Sequence, residues 1–329
     1  MIDFLIEIMG VESTSGMENS VAEHIKDNYS PAGAELEIQD IENGMVNLYY
    51  KWGKPEIIFC SHFDTVPPYI PPRVEGDTIY GRGACDAKGQ IAYLAEVCRR
   101  LHERRETNFG LLMLAGEEVG SYGARRANEL IEGCRYVIVG EPTENKLIKA
   151  QKGNMLAEVE FSGKAFHSGY PEHGDNAIQR MVDFVNKMNA LEFPIDPVLG
   201  ETTYNIGNLV SDNARNIVSD YVTMKIFFRT TFLTHDILIE KVGSIADDQT
   251  KIDFAYGDKP IEFHTIDGFE TGVVSYGSDA PELTNLGKPM LYGPGSIFTA
   301  HTDDEHIKIA DMERAVEDVV RVWEGLRNG

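Results

Sequence analysis

The sequence is poor in several features that define other classes of protein. Four cysteines occur in 329 residues without a CxxC pair, which argues against a zinc knuckle and a disulfide framework. No apolar run approaches the roughly 18 residues that a membrane span needs. The N-terminal stretch MIDFLIEIMGVES lacks the basic start and cleavage site of a signal peptide, and its pattern is that of an amphipathic helix. We therefore expect reduced thiols and a cytoplasmic protein.

Positive charge is also scarce. Thirty Lys and Arg residues face 53 Asp and Glu residues, so the formal net charge is -23, and the acidic residues are spread along the chain. Nucleic acids and anionic membranes attract basic surfaces, and we expect neither as a partner. The apolar fraction of 42% suits a globular protein with a filled core. The length allows one large domain or two of ordinary size.

Three short apolar runs share one pattern, in which a buried strand is followed directly by polar residues. EIIFC precedes SHFDT, FGLLMLA precedes GEEVG, and CRYVIV precedes GEPT. Between the first two, apolar residues recur at helical spacing from Ile91 to Leu101. Strands that alternate with helices indicate a parallel sheet covered on both faces, and ligands bind beyond the carboxyl ends of such strands. The polar residues should therefore converge at one edge.

The pattern changes near residue 158. MLAEVEFSGKAF, YVTMKIFFRTTF and KIDFAYG predict strands, whereas NAIQRMVDFVNKMNAL and THDILIEKVGSIA predict helices. This order predicts an α+β unit with an antiparallel sheet, near the usual size of a domain. The α/β pattern then returns with the strand KPMLYG and a last helix that carries Met312, Val316 and Trp323 on one stripe. We predict an α/β domain in two parts, 1–157 and 262–329, with the second domain inserted at 158–261.

Two histidines and several carboxylates are expected along one edge of the predicted sheet. These are His62 and Asp64 in SHFDT, Asp86 in GRGACDAKG, Glu117 and Glu118 in GEEVG, Glu141 in GEPT, and His301 in FTAHTDDEH. Each motif alone has a purely structural explanation, such as a glycine turn in which Asp86 caps the helix, or a solvated acidic loop. Their position after successive buried strands favours a metal site. Mixed imidazole and carboxylate ligands suit zinc, with cobalt or manganese as alternatives.

Six motifs together resemble a known family. SHFDTVP, YGRGACDAKG, AGEEVGSYGAR, VGEPT, GKAFHSGYPEHGDNAI and AHTDDEH are similar, in this order, to motifs of the dinuclear zinc amidohydrolases and peptidases. That family includes acetylornithine deacetylase, succinyl-diaminopimelate desuccinylase, carboxypeptidase G and aminoacylase. The resemblance covers nearly the whole chain. It implies a zinc-peptidase-like, mostly parallel sheet flanked by helices, with an inserted ferredoxin-like lid and dimerisation domain. The short chain and the compact region VPPYIPPRVEGDTIYGRGACDAKG are similar to the lysine- and ornithine-biosynthesis branch, which includes the LysW-lysine/ornithine hydrolases.

The resemblance also implies a role for each residue of the metal site. Asp86 would bridge two zinc ions, with Co²⁺ as a possible substitute. His62 and Glu141 would complete the first site, and Glu118 and His301 the second. Asp64 would hydrogen-bond the imidazole of His62, and Glu117 would be the general base that takes a proton from a metal-activated water. His306 follows DDE in the same stretch as His301, and we prefer His301 because its alanine-histidine context fits the motif.

Three residues of the inserted domain correspond to substrate contacts in the family. His167 matches a lid histidine that helps to hold the oxyanion and often reaches across a dimer, which implies a homodimer through the lid. Arg229 matches an arginine that can pair with the α-carboxylate of the substrate, and Asn216 matches a lid asparagine. The chain departs from the family where Ser211 and Asp212 replace two glycines and where NIVS ends in Ser219.

Three functions are compatible with these motifs. The first is a hydrolase of N-acyl amino acids, such as acetylornithine or an acylated lysine. The second is a dipeptidase or carboxypeptidase of the same family, with the same chemistry and a small peptide as substrate. The third is a metal-binding module without catalysis, which the retained Glu117 argues against because such a module needs no base beside its ligands.

Overall fold

The computed structural model describes residues 1–255 and 257–328. In this part of the chain the α-helices are α1 (Ile2–Met9), α2 (Asn19–Asn28), α3 (Lys88–Glu103), α4 (Tyr122–Leu130), α5 (Ala177–Asn189), α6 (Leu238–Gly243) and α7 (Ile309–Asn328). The first of these confirms the predicted amphipathic helix at the start of the sequence. None of the helices in the described residues is long and apolar enough to cross a membrane.

The strands of the first half of the chain are β1 (Glu35–Asp40), β2 (Val46–Trp52), β3 (Ile57–His62), β4 (Arg73–Glu75), β5 (Thr78–Tyr80), β6 (Phe109–Leu114), β7 (Tyr136–Val139), β8 (Leu147–Gln151) and β9 (Gly153–Ser162). Those that follow are β10 (Thr203–Val210), β11 (Tyr221–Thr230), β12 (Thr250–Ala255), β13 (Ile261–Glu262), β14 (Thr271–Val274), β15 (Lys288–Leu291) and β16 (His306–Lys308).

The chain divides into two compact units. Unit 1 comprises Met1–Lys149, Phe263–Gly272 and Ser278–Gly329, and unit 2 comprises Ala150–Glu262 and Val273–Gly277. Each unit has its own cluster of buried apolar side chains.

Unit 1 is built on a six-stranded sheet in the order β1-β2-β6-β3-β7-β15. The four strands β6, β3, β7 and β15 run parallel to one another. Strand β2 pairs antiparallel with β6, and β1 pairs antiparallel with β2. Every residue of β3 and of β6 is buried, as expected for strands covered on both faces. The predicted mostly parallel α/β sheet is therefore confirmed, and the carboxyl ends of its parallel strands lie at one edge.

Aromatic side chains fill the core of unit 1. Phe109 on β6 stacks on Trp52 with ring centroids 4.7 Å apart, and its ring meets Trp323 of α7 edge-on at 5.6 Å. Phe59 on the neighbouring strand approaches both Phe109 and Trp323. This packing explains why the last helix carries an apolar stripe, since that stripe covers the strands that end at the polar loops.

Unit 2 has a four-stranded sheet in the order β10-β11-β9-β12, antiparallel throughout. Burial alternates along β11 and β12, so one face of the sheet is covered, and apolar residues of α5 and α6 join those of the strands in one cluster. The sequence βαββαβ with this strand order is ferredoxin-like. The α+β class predicted for the inserted segment is confirmed.

Several element predictions need correction. The helix predicted over THDILIEKVGSIA is shorter and begins at Leu238, because Thr234 forms a turn in which its hydroxyl accepts from the Thr231 N–H. The strand β10 was not predicted, because its residues are mostly exposed and show no clear alternation. The predicted strand KIDFAYG corresponds to β12, and its residue Tyr256 lies outside the described residues.

Candidate metal centre

The polar residues predicted to converge do lie together in unit 1. His62 is the last residue of β3, Glu117 and Glu118 follow β6, and Glu141 follows β7. Since these three strands are parallel neighbours, their carboxyl ends bring the side chains to one edge. Asp86 comes from the loop before α3, and His301 comes from the loop that follows β15.

Asp86 stands at the middle of this cluster. Its Oδ1 atom lies 3.2 Å from Nε2 of His62, and its Oδ2 atom lies 3.3 Å from Nε2 of His301. The two oxygens of one carboxylate thus face two different histidines. Asp86 does not cap the following helix, since α3 begins at Lys88 with Ala87 as its N-cap residue and without a side-chain capping bond. The predicted alternative in which Asp86 caps the helix is therefore wrong.

A glycine allows the Asp86 loop to fold back on the start of α3. A Cβ atom at Gly89 would lie only 2.0 Å from the carbonyl oxygen of Ala84, closer than any side chain can approach. Gly89, the last residue of GACDAKG, therefore permits a close backbone approach that holds the loop against the helix.

The donor atoms form two groups that share Asp86. One group is His62, Asp86 and Glu141, and the other is Asp86, Glu118 and His301, with the donor atoms of each group within 4.8 Å of one another. Donors that bind a zinc ion at tetrahedral angles lie about 3.4 Å apart. The histidine–carboxylate separations here run from 3.0 Å between His301 and Glu118 to 3.9 Å between His62 and Glu141. The residues present therefore fit a pair of divalent ions.

The orientation of His62 also suits a metal ligand. Its Nδ1 atom lies 3.0 Å from the carbonyl oxygen of Asp64, which can only accept, so Nδ1 carries the proton in the neutral ring. The lone pair is then on Nε2. Nε2 lies within 3.9 Å of Asp86, Glu117 and Glu141. Even if Nε2 carried a proton, its single N–H could not donate to all three carboxylates. A cation in front of Nε2 would bind its lone pair and compensate the negative charge of these carboxylates.

Asp64 contacts both His62 and the loop that follows β6. Its carboxylate accepts hydrogen bonds from the backbone N–H groups of Glu117 and Glu118 at 3.1 and 3.2 Å, and from the Ser15 hydroxyl at 2.9 Å. Its Oδ1 atom is 3.4 Å from Nδ1 of His62, farther than its own carbonyl oxygen. The fully buried Asp64 therefore fixes the backbone that carries the two glutamates, a role that the sequence did not indicate.

The cluster is strongly anionic and attracts positive charge. Contacts with Asp86 and Glu118 raise the pKa of His301 to about 10. Burial opposes protonation of His62, but Asp64, Asp86 and Glu117 outweigh it and raise its pKa well above the ordinary value. Burial and the neighbouring Asp86 raise the pKa of Glu141 well above its usual range. Divalent cations would provide the compensation that buried carboxylates need.

Glu117 lies beside the donors without belonging to either group in the described residues. Its Oε2 atom is 3.9 Å from Nε2 of His62, and its side chain is 15% exposed, so water can reach it. Burial raises the pKa of Glu117 well above its usual range, and the charges of Asp279 and Glu141 act in the same direction. A carboxylate in this position can accept a proton and hold it.

Two further acidic residues of the cluster were not predicted from the sequence. Asp279 is 1% exposed, and burial raises its pKa to about 7. Glu305 is fully buried and accepts hydrogen bonds from the loop that carries Asp86. Glu305 lies in AHTDDEH, where neighbouring acidic residues give no signal that one of them is buried. His306 packs its ring against Tyr80 and is not in either donor group of the described residues.

The three substrate contacts predicted in the inserted domain lie in unit 2. His167 and Asn216 are exposed on adjacent segments, joined by the Ser168 N–H that donates to the carbonyl of Asn216 at 2.9 Å. Arg229, on β11, is half-buried with its guanidinium group 4.7 Å from the ring centroid of Phe227. Their roles in substrate binding stay predictions. Ser211 and Ser219, where the chain departs from the family pattern, hydrogen-bond each other at 2.9 Å.

Comparison with known proteins places this arrangement in a family. The model of peptidase family M20/M25/M40 matches residues 58–325. A probable carboxypeptidase of Aspergillus clavatus is 32% identical over 358 residues, covering 96% of this chain and 86% of the relative. The chain belongs to peptidase family M20/M25/M40. It is therefore a hydrolase of amide or peptide bonds, and the family resemblance inferred from the motifs is confirmed.

Solved structures share the fold. A tripeptidase from Staphylococcus aureus superposes with a TM-score of 0.84 at 18% identity, covering 97% of this chain and 95% of that one. A dinuclear metal binding peptidase of the M20 family from Bacillus subtilis superposes with a TM-score of 0.67 at 12% identity, covering 97% and 95%. At these identities the likeness is evidence for the fold.

Proposed function

We propose that this chain hydrolyses the amide bond of N-acyl amino acids, of the acetylornithine or acylated-lysine type, with two zinc ions bound to the residues around Asp86. The observation that carries the proposal is the position of Asp86, whose two oxygens face His62 and His301 from two donor groups. Glu117 lies beside this shared ligand. The resemblance to deacylases in the motifs supports the choice of substrate.

The chain's own residues account for the proton transfers. Two divalent ions would polarise the amide carbonyl and make an attacking water more acidic. Glu117 would take a proton from that water and return it to the amide nitrogen as the C–N bond breaks, and the pKa of Glu117, which burial raises, favours holding the proton between these two steps. Asp64 fixes the backbone N–H groups of Glu117 and Glu118, so the base and the adjacent ligand keep their orientation. His167 is proposed to donate to the oxyanion.

A small peptide is the second candidate substrate. The names of similar proteins favour it, since they include a probable carboxypeptidase and a tripeptidase. An N-acyl amino acid and a peptide cleaved at its C-terminal residue share one feature, a free α-carboxylate next to the bond that breaks. We propose that Arg229 recognises this carboxylate. We also propose a homodimer formed through the inserted domain. Only the resemblance of the motifs to the family supports it.

A substrate panel tests both candidates. We expect N-acetyl amino acids to be cleaved with a kcat/KM roughly 10- to 150-fold higher than that of their C-terminal amides, because a charge-assisted hydrogen bond contributes about 1.5 to 3 kcal/mol. The rate of hydrolysis is measured from the free amino groups that the reaction releases. Equal cleavage of acids and amides would contradict recognition of the carboxylate. Faster cleavage of unacylated dipeptides or tripeptides would identify the peptidase instead.

A matched pair of variants assigns the carboxylate contact. Arg229→Gln should remove the preference for acids over amides and raise KM more than it lowers kcat. Lys225→Gln is the control, because residues 225 and 229 lie on the same face of β11 and Lys225 already forms an ion pair with Glu158. The control should keep the preference.

A further inference from the structure

A buried ion pair lies behind the candidate metal centre, between Arg82 and Glu305. The Arg82 Nη1 atom donates to Oε2 of Glu305 at 2.6 Å, and the side chains are 2% and 0% exposed. A charged pair without solvent is costly to bury unless further hydrogen bonds satisfy both groups. The other hydrogen bonds of Arg82 and Glu305 therefore show which segments of the chain this ion pair holds in place.

The second oxygen of Glu305 holds the loop that carries Asp86. Oε1 accepts hydrogen bonds from the backbone N–H groups of Gly83, Cys85 and Asp86, at 3.0, 3.1 and 3.0 Å. Three donors converging on one anionic oxygen fix the path of this loop, since each charge-assisted bond is stronger than a neutral one. The backbone of the shared ligand is thus attached directly to Glu305.

The same pair also attaches the loop that carries His301. Arg82 Nη1 donates to the carbonyl oxygen of Thr302 at 3.2 Å, and the Gly81 N–H donates to the carbonyl oxygen of Glu305 at 2.9 Å. Thr302 is the residue after His301. Two segments about 220 residues apart in sequence are therefore joined by one ion pair, and each supplies a ligand to the group formed by Asp86, Glu118 and His301.

We propose that Glu305, with Arg82, is a positioning residue that preorganises the metal group of Asp86, Glu118 and His301. This inference rests on the proposed function, because it assumes that the donor groups bind divalent ions. Glu305 accepts directly from the Asp86 N–H, and Asp86 belongs to both groups. Its partner Arg82 donates to the residue after His301, which belongs to the first group and not to the group of His62, Asp86 and Glu141. Loss of Glu305 should therefore weaken the first group more than the second.

Zinc titration in two single-site backgrounds separates the two groups. Glu141→Gln leaves the group that contains His301, and His301→Ala leaves the group that contains Glu141. Adding Glu305→Gln should weaken Zn²⁺ binding about 10- to 100-fold in the first background, the usual cost of losing a residue that orients a ligand. The loss in the second background should be several-fold smaller. Calorimetric titration with Zn²⁺ measures both without reference to activity.

Asp318→Asn is the matched control for losing a buried carboxylate. Asp318 lies on α7 in the same unit, accepts from the Tyr292 hydroxyl at 2.7 Å and pairs with Arg314 and Arg321. This variant should unfold at a lower temperature and leave Zn²⁺ affinity unchanged in both backgrounds. If Glu305→Gln does not fold, the double change Arg82→Gln with Glu305→Gln removes the unpaired buried guanidinium and should show the same selective loss.

The outcomes distinguish this inference from the proposed function. No change in affinity on losing Glu305, or an equal loss in both backgrounds, would overturn the positioning role. If instead the unaltered chain binds no Zn²⁺ in the same titration, the proposed function fails, and the positioning role fails with it.

Discussion

Replacing Glu117 by glutamine is expected to lower kcat by about 10²- to 10⁴-fold, while the metal content stays unchanged. An amide of the same shape cannot accept the proton of the attacking water, and general acid–base catalysis contributes a factor of this size. Glu117 is adjacent to the donor groups and belongs to neither among the described residues, so its loss should leave the ligands in place. Steady-state kinetics on the best substrate, together with metal analysis of the same sample, measures both effects.

Glu118→Gln is the matched comparison, because it makes the same chemical change one residue along the chain. Glu118 lies 3.0 Å from Nε2 of His301 and belongs to a donor group. We expect this variant to lose metal, and to regain part of its activity at high metal concentration. Activity of Glu117→Gln within a few-fold of the unaltered enzyme would remove Glu117 from the mechanism.

The second large effect is expected at Asp86. In Asp86→Asn one of the two carboxylate oxygens becomes an NH₂ group, which cannot bind a cation. Only one of the two donor groups then keeps an oxygen ligand from residue 86. Metal content should fall to one ion or fewer per chain. Activity should fall by roughly 10³-fold or more, since the metals contribute several kcal/mol to the transition state.

An exposed aspartate of the same unit provides the control for Asp86. Asp40→Asn, at the end of the edge strand β1, should retain both the metal and the activity. Full metal content in Asp86→Asn would show that its carboxylate is not the shared ligand, even though its oxygens face both histidines.

The sequence was informative where burial and chain order determine position. β3 and β6 are continuous apolar runs that end at polar residues, and parallel pairing places those ends at one edge, so His62, Glu117 and Glu118 were predictable from pattern alone. The prediction that Asp86 is shared by two metal sites needed the family resemblance. The strand β1 was missed because it is largely polar and lies at the sheet edge.

Contacts between distant segments could not be read from the sequence. Glu305 is one of several acidic residues in AHTDDEH, and its partners are backbone N–H groups about 220 residues earlier in the chain. Asp64 was expected to contact His62, but its bonds to the N–H groups of Glu117 and Glu118 depend on how two loops meet. Backbone donors have no side-chain identity, so these interactions leave no residue pattern to find.

Metal stoichiometry of the unaltered chain tests the two-metal mechanism most directly. After equilibration with Zn²⁺ and removal of free metal, inductively coupled plasma mass spectrometry should find about two zinc ions per chain, as expected for a two-metal site. Treatment with a strong chelator should abolish hydrolysis, and Zn²⁺ or Co²⁺ should restore it. A fully active preparation with metal content near zero would contradict this mechanism.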